Sequence, residues 1–313
     1  MHLADALISV PIGGTFWAVS AVTLIYASNR LKREDTEEKY IPFMGVLGAF
    51  VFALQMINFA IPGTGSSGHF AGGFLLALLL NSHAAFIVIS TVLLIQALFF
   101  ADGGLLALGC NIFNLGFIPA YVIYPIFAKF IKKSSFFIFT GAFLSLLLGA
   151  IMVSIQIALS NIAALPFIHM FAMMIGIHLL IGIAEGLITL GSYKFICSFT
   201  YNNQEKPVKP YLALTVISLI FAGIVSLFAS SNPDGLEWSV DKLLHNGSSI
   251  NNINTKVHTF FLNIQEKFSF LPDYNFSVED KIYGTSLAGI IGAILTIFVA
   301  FLVGYFINKG KKT

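Results

Sequence analysis

Long apolar runs, broken only by short polar stretches, constrain this chain more than any single residue does. They fall near 14–29, 43–60, 68–82, 84–101, 104–128, 135–160, 167–195, 211–230 and 284–308. A helix needs about 20 such residues to cross the hydrocarbon core of a bilayer. The predicted fold is therefore an all-α polytopic membrane protein with about nine transmembrane helices. The run at 68–82 is short for a bilayer and is expected to sit partly inside the bundle. A composition of 57% hydrophobic and 10% charged residues, with mean hydropathy +0.86, excludes a soluble domain. The net charge of +2 says little by itself; membrane lipid is the expected surrounding, and no nucleic-acid partner is expected. The start, MHLADALISVPIGG, lacks a basic region and carries Asp5, so no cleavable signal peptide is expected. Cys110 and Cys197 lie in apolar runs and read as small buried hydrophobes, with no disulfide or cysteine metal framework.

The basic residues set an expected orientation. Arg30, Lys32, Arg33 and Lys39 follow the first run, and Lys129, Lys132 and Lys133 follow the fifth. Lys194, Lys206 and Lys209 surround the seventh-to-eighth connection, and Lys309, Lys311 and Lys312 close the chain. All fall on one side of a nine-span arrangement, and the positive-inside rule makes that side the cytoplasm of a cell membrane. The N-terminus, the Gly-rich 61–68 segment and the 231–283 loop then lie outside, and the C-terminus inside. The polar, proline-containing stretch YNNQEKPVKP at 201–210 reads as a linker. It divides the chain into a seven-helix unit, 1–203, and a two-helix unit, 204–313, whose spans are joined by the long loop. No internal repeat supports an inverted-repeat carrier.

A histidine at position 2 carries the first chemical signal. The Met1 α-amine, the His2 amide nitrogen and the His2 imidazole together close a five-membered and then a six-membered chelate ring. Such a clamp suits Ni²⁺ or Cu²⁺ in a square-planar nitrogen field. Bulky His2 also disfavours removal of Met1. The second signal is Ile61-Pro-Gly-Thr-Gly-Ser-Ser-Gly-His69. Its glycines permit a tight turn opening a helix. Written as G-x-x-x-x-G it resembles a phosphate-binding loop, but His69 and Phe70 stand where Lys and Ser/Thr are required, so that reading fails. His69 as an imidazole ligand fits better, on the same side as the N-terminus. A lone histidine there is ordinarily a cap or interface residue; pairing with His2 changes that.

Several spaced motifs then occur in order: Met1-His2-Leu-Ala-Asp5-Ala, Gln55-Met-Ile-Asn58-Phe, Pro62-Gly-Thr-Gly-Ser-Ser-Gly-His69 and Gln96-Ala-Leu-Phe-Phe-Ala-Asp102-Gly-Gly. Cys110-Asn-Ile-Phe-Asn114 and Gly182-Ile-Ala-Glu185-Gly-Leu-Ile-Thr follow. Together they resemble the CbiM/NikM family, the substrate-binding S components of energy-coupling-factor transporters for cobalt and nickel. Pro233-Asp-Gly-Leu-Glu237, Leu271-Pro-Asp-Tyr274 and Ser286-Leu-Ala-Gly289 resemble the small CbiN/NikN partner, the PDGLE domain. The resemblance covers nearly the whole chain. The family usually begins Met-His-Ile-Pro-Asp-Gly; Ala4 and Ala6 here replace the Pro and Gly, which bears on the path of the N-terminal segment and leaves the ligand positions intact.

The resemblance implies a metal held by the Met1 amine, the His2 amide and imidazole, and His69, four nitrogens in a square plane. Ni²⁺ prefers that geometry, and Co²⁺ is accepted by relatives with similar ligands; nickel is favoured as the transported ion, and no cofactor is expected. Asp5, Asn58, Ser66, Ser67 and Gln96 are candidates to orient the imidazoles. The resemblance also implies a transmembrane coupling protein (T component) and two cytosolic ATPases, since the chain carries no ATPase motif.

Other polar residues read more plainly. Asp102 before Gly103-Gly104 suggests a turn or helix N-cap. Asn111 and Asn114 share a helix face and suggest interhelical hydrogen bonds. Glu185 lies mid-span, where a carboxylate is costly and a function is the default; pairing, contact with His178 and protonation all stay open. His83, His169, His245 and His258 read as interface or loop residues, and the 32 phenylalanines as packing and lipid-facing surface. No His-Glu-x-x-His or similar motif supports an intramembrane metalloenzyme. A stand-alone channel or secondary carrier for divalent metal is the alternative.

Overall fold

The structure is a computed structural model that describes residues 2–34, 40–131, 133–162, 165–201, 208–245, 255–274 and 281–309. A short 3₁₀ turn at Asp5–Leu7 precedes α1 (Val10–Arg33) and α2 (Tyr40–Gln55). A hairpin of β1 (Phe59–Ile61) and β2 (Ser66–Gly68) follows, antiparallel with Phe59 opposite Gly68. Then come α3 (Gly73–Leu79), α4 (Ser82–Phe99), α5 (Leu108–Ile131), α6 (Phe136–Ser160) and α7 (Phe167–Tyr201). The second part holds α8 (Val208–Gly223), α9 (Gly235–His245), α10 (Lys256–Phe268) and α11 (Lys281–Lys309).

Seven helical stretches are long and apolar enough to cross a membrane, among the described residues. They correspond to seven of the nine apolar runs. The other two fall short: α2 has 16 residues and α3 has seven. The third run is short for a physical reason. Gly68 at its start pairs with Phe59 of β1 instead of entering a helix, and Gly63 and Gly65 at the hairpin tip both have positive φ (76° and 74°), a conformation that glycine adopts at no steric cost. The Gly-rich segment thus makes a β-turn between strands, where a helix-opening turn was expected. The fifth run contains a second departure: Phe113–Ile123 is wound as a π-helix around Pro119, whose missing N–H interrupts the ordinary ladder.

The interior is built by α2, α4, α5 and α6, with α3 enclosed among them; Phe52, Phe74, Phe86, Leu75 and Leu76 are fully buried. Asn114 and Gln156 exchange two hydrogen bonds between α5 and α6 (2.8 and 3.1 Å), the interhelical role expected for Asn114. The helices α8 and α11 pack on each other and on α2, while α9 lies on α7 and α10 on α4. One end of the bundle therefore gathers the N-terminal segment, the hairpin, the Ala101–Gly104 turn, α9 and α10.

Candidate metal site

The N-terminal segment is seated in that end by main-chain hydrogen bonds. Leu3 N–H donates to Asn111 Oδ1 at 2.8 Å, and the Leu3 carbonyl accepts from Asn111 Nδ2 (3.2 Å) and Gly104 N (2.9 Å). Leu3 and Ile8 are fully buried. Asp5 Oδ1 accepts from Ala107 N at 2.9 Å. A Cβ on Gly104 would sit 1.8 Å from Asp5 Oδ1, so only glycine lets the segment lie this close. Met1 lies outside the described residues.

This seating puts His2 against His69. The two imidazoles stack with centroids 5.0 Å apart and planes 28° from parallel. His2 Nδ1 bonds Asp102 Oδ1 at 2.7 Å, and Asp102 Oδ2 accepts from the Tyr274 hydroxyl at 2.6 Å. Burial works against the Asp102 charge, but His2 and Tyr274 more than compensate and hold its carboxyl below the usual carboxylate range. An ionised carboxylate only accepts, so the His2 Nδ1–H donates to Asp102 Oδ1. The His2 Nε2 is buried with no hydrogen-bond partner. The six-membered chelate ring expected from the sequence would close through the same Nδ1, which here bonds Asp102.

His69 follows β2 directly. Its Nδ1 lies 3.2 Å from the Phe70 carbonyl and its Nε2 lies 3.7 Å from Asp234 Oδ2. Burial lowers its basicity, and Asp234 opposes that shift. The backbone after His69 is held by Glu185, which accepts from Ala71 N (2.8 Å) and Gly72 N (3.1 Å), while Gln55 Nε2 donates to the Ala71 carbonyl (2.8 Å). Glu185 therefore spends both carboxylate oxygens on securing the turn that carries His69.

The side chains of Asp5, Ser66 and Ser67 bond main-chain groups, and the Asn58 and Gln96 main chains hold neighbouring turns. Asp5 anchors the N-terminal segment to Ala107. The hydroxyls of Ser66 and Ser67 donate to main-chain carbonyls of Asn232 and Pro233. The Asn58 carbonyl accepts from Ser230 N (2.7 Å), and the carbonyl of fully buried Gln96 accepts from Asp102 N (3.1 Å). Among the described residues no three His, Cys, Asp or Glu side chains form a metal cage. The groups that do face the rings are Asp102, read from the sequence as a turn or cap, and Asp234. For Asp234 the signal was the Pro233–Glu237 motif itself.

Each position of that motif has a local task. The Pro233 carbonyl accepts from Ser67 N at 2.8 Å, joining the motif to β2. Asp234 Oδ1 accepts from Leu236 N (2.8 Å) and Glu237 N (2.9 Å), capping α9, while Glu237 Oε2 accepts from Asp234 N (3.1 Å) to complete a capping box. A Cβ on Gly235 would meet His178 Cε1 at 2.9 Å, so glycine is required for contact with α7. Leu236 is buried, and Trp238 Nε1 donates to the Thr64 carbonyl at 3.0 Å. On the other flank, Gln265 Nε2 donates to the carbonyls of Ala97 (2.8 Å) and Gly103 (2.7 Å), and His258 Nε2 lies 3.0 Å from the Ile8 carbonyl. His258 is thus an interface residue, as expected.

A family model described as "Cobalt uptake substrate-specific transmembrane region" (CbiM) matches residues 2–202. The chain belongs to the CbiM family. Residues 208–309 match the PDGLE domain, so this is a CbiM-family chain with a fused PDGLE domain. A putative fused nickel transport protein NikMN of Archaeoglobus fulgidus is 31% identical over 96% of this chain and 97% of its own length. A probable fused nickel transport protein LarMN of Lactiplantibacillus plantarum is 30% identical over 78% of this chain and 79% of its own. A cobalt transport protein CbiM of Sorangium cellulosum is 35% identical over 40% of this chain and 56% of its own. A crystal structure of a truncated transition metal transporter superposes with a TM-score of 0.56 at 29% identity, covering 63% of this chain and 99% of that one.

Proposed function

We propose that this chain is the substrate-specific membrane subunit of an energy-coupling-factor transporter that takes up Ni²⁺ or Co²⁺, and that it is a transport subunit and not an enzyme. The ion is captured by the Met1 amine, the His2 amide and imidazole, and the His69 imidazole. The observation that carries this reading is the stack of His2 on His69, two imidazoles brought together beside the N-terminus. Nickel is favoured, because four nitrogens in a plane suit a d⁸ ion and the relatives that share the fusion are named for nickel. A transmembrane coupling protein and two cytosolic ATPases supply the energy and reorient this subunit. The chain lies in the cell membrane with its N-terminus outside and its C-terminus in the cytoplasm. Residues 1–203 form the metal-binding unit and 204–313 the PDGLE unit, whose loop at 231–283 guards access to the ion site.

The test is the metal content of purified protein equilibrated with equal Ni²⁺ and Co²⁺ and then desalted. A single tightly held ion per chain, lost in His2→Ala and in His69→Ala, is expected. Retention of the ion in both variants would place the site elsewhere.

A further inference from the structure

We infer that Asp234 of the PDGLE unit is a counter-charge of the captured ion, set over His69 by the docking of the Pro233–Glu237 turn. The inference rests on reading His2 and His69 as the ligands and adds a residue from the second unit. Three observations carry it. First, the two oxygens of Asp234 are divided: Oδ1 caps α9, and Oδ2 faces His69 Nε2 at 3.7 Å. Second, the position of this carboxylate is imposed from several directions. Ser67 N holds the Pro233 carbonyl, the Ser67 hydroxyl holds the Asn232 carbonyl at 2.8 Å, and Gly235 packs against His178. Third, the other imidazole already has a carboxylate of its own, Asp102, at 2.7 Å, and that carboxylate is held in turn by Tyr274 from the second unit. Each histidine therefore meets one carboxylate, and the second unit controls both.

The charge balance gives this arrangement a purpose. A divalent ion bound by a neutral amine, a deprotonated amide and two neutral imidazoles leaves one net positive charge, which Asp102 beside His2 and Asp234 beside His69 share. Burying an unpaired charge is costly, and a fixed carboxylate beside a ligand imidazole lowers that cost. Asp234 is placed to do so without being one of the ligands, so it is a positioning residue.

Asp234→Asn separates the two roles of the side chain. Asparagine keeps an oxygen to cap α9 but removes the negative charge facing His69. Ni²⁺ would be titrated calorimetrically into the full chain in detergent, as wild type, Asp234→Asn, Asp234→Ala and His69→Ala. Trp238 emission reports whether the turn remains docked. The expected result is that Asp234→Asn and Asp234→Ala both weaken Ni²⁺ binding by about 10–100-fold. The Ni²⁺ ligand-field band should stay where wild type has it, whereas any binding retained by His69→Ala should show a moved band. If Asp234→Asn binds like wild type and only Asp234→Ala is impaired, Asp234 is just a helix cap and the inference falls. A band displaced in Asp234→Asn would make Asp234 a ligand, which also overturns it. Wild-type binding that ignores His2 and His69 would instead overturn the reading of the site itself.

Discussion

Asn111→Ala should weaken nickel binding without touching a ligand. Asn111 makes both side-chain hydrogen bonds that fasten Leu3, one to its N–H and one to its carbonyl. After truncation the Leu3 carbonyl keeps Gly104 N at 2.9 Å, but the Leu3 N–H is left buried with no acceptor. An unsatisfied buried donor costs about 1–3 kcal/mol, and the second lost bond adds about 0.5–1.5 kcal/mol. The seated N-terminus would thus be destabilised by roughly 2–4 kcal/mol. Binding requires that seated segment, so the loss passes into affinity at about tenfold per 1.4 kcal/mol. A seated state already favoured in wild type absorbs part of it, which leaves an expected weakening of about 10–100-fold. Asn111→Asp keeps the acceptor for Leu3 N–H and should fall between the two. Calorimetric titration of Ni²⁺ into the three proteins checks this. An Asn111→Ala affinity within about threefold of wild type would show that the path of residues 2–5 does not govern capture.

Two further outcomes follow from the same contacts. Glu185→Gln leaves a single side-chain oxygen for two buried N–H groups, those of Ala71 and Gly72. It should lower stability by about 1–3 kcal/mol and loosen His69, read as a reduced melting temperature together with weaker Ni²⁺ binding; an unchanged melting temperature would refute the anchoring role. Nickel affinity should also fall steadily from pH 8 to pH 5, because the amine, amide and imidazoles give up protons to bind the ion, so each proton competes with it; a flat profile in a buffered titration would eliminate the chelate.

The transmembrane helices were legible in the sequence because their signal is local. A run of apolar residues meets the same bilayer whatever its neighbours, and the runs at 135–160 and 167–195 agree with α6 and α7 to within a few residues at most ends. What failed depends on partners. The segment 61–68 becomes a hairpin only because Ser66–Gly68 finds Phe59–Ile61. His2 and His69 stand out in the sequence because their donor chemistry is unusual for their positions, and the structure stacks their rings. Asp102 does lie in a turn, between Ala101 and Gly103 of positive φ, but its bonds to His2 and Tyr274 have no local signal because those partners lie 100 and 172 residues away. Glu185 gave no hint of its partners either, since those are backbone N–H groups more than 110 residues distant. The π-wound stretch at Phe113–Ile123 had its only local cue in Pro119.

The Pro233–Glu237 turn meets the hairpin through a few polar contacts, chiefly Ser67 with Pro233 and Asn232 and Trp238 with Thr64. Between separate molecules, contacts this sparse would hold a cover in place only at high concentration. Within one chain the same contacts act at an effective concentration on the order of millimolar, so a weak latch is sufficient. Weakness then becomes useful. On the proposed reading of this turn as a cover over the ion site, a cover that lifts for every ion cycles quickly only if closing it releases little free energy, and covalent fusion gives each site a cover of its own.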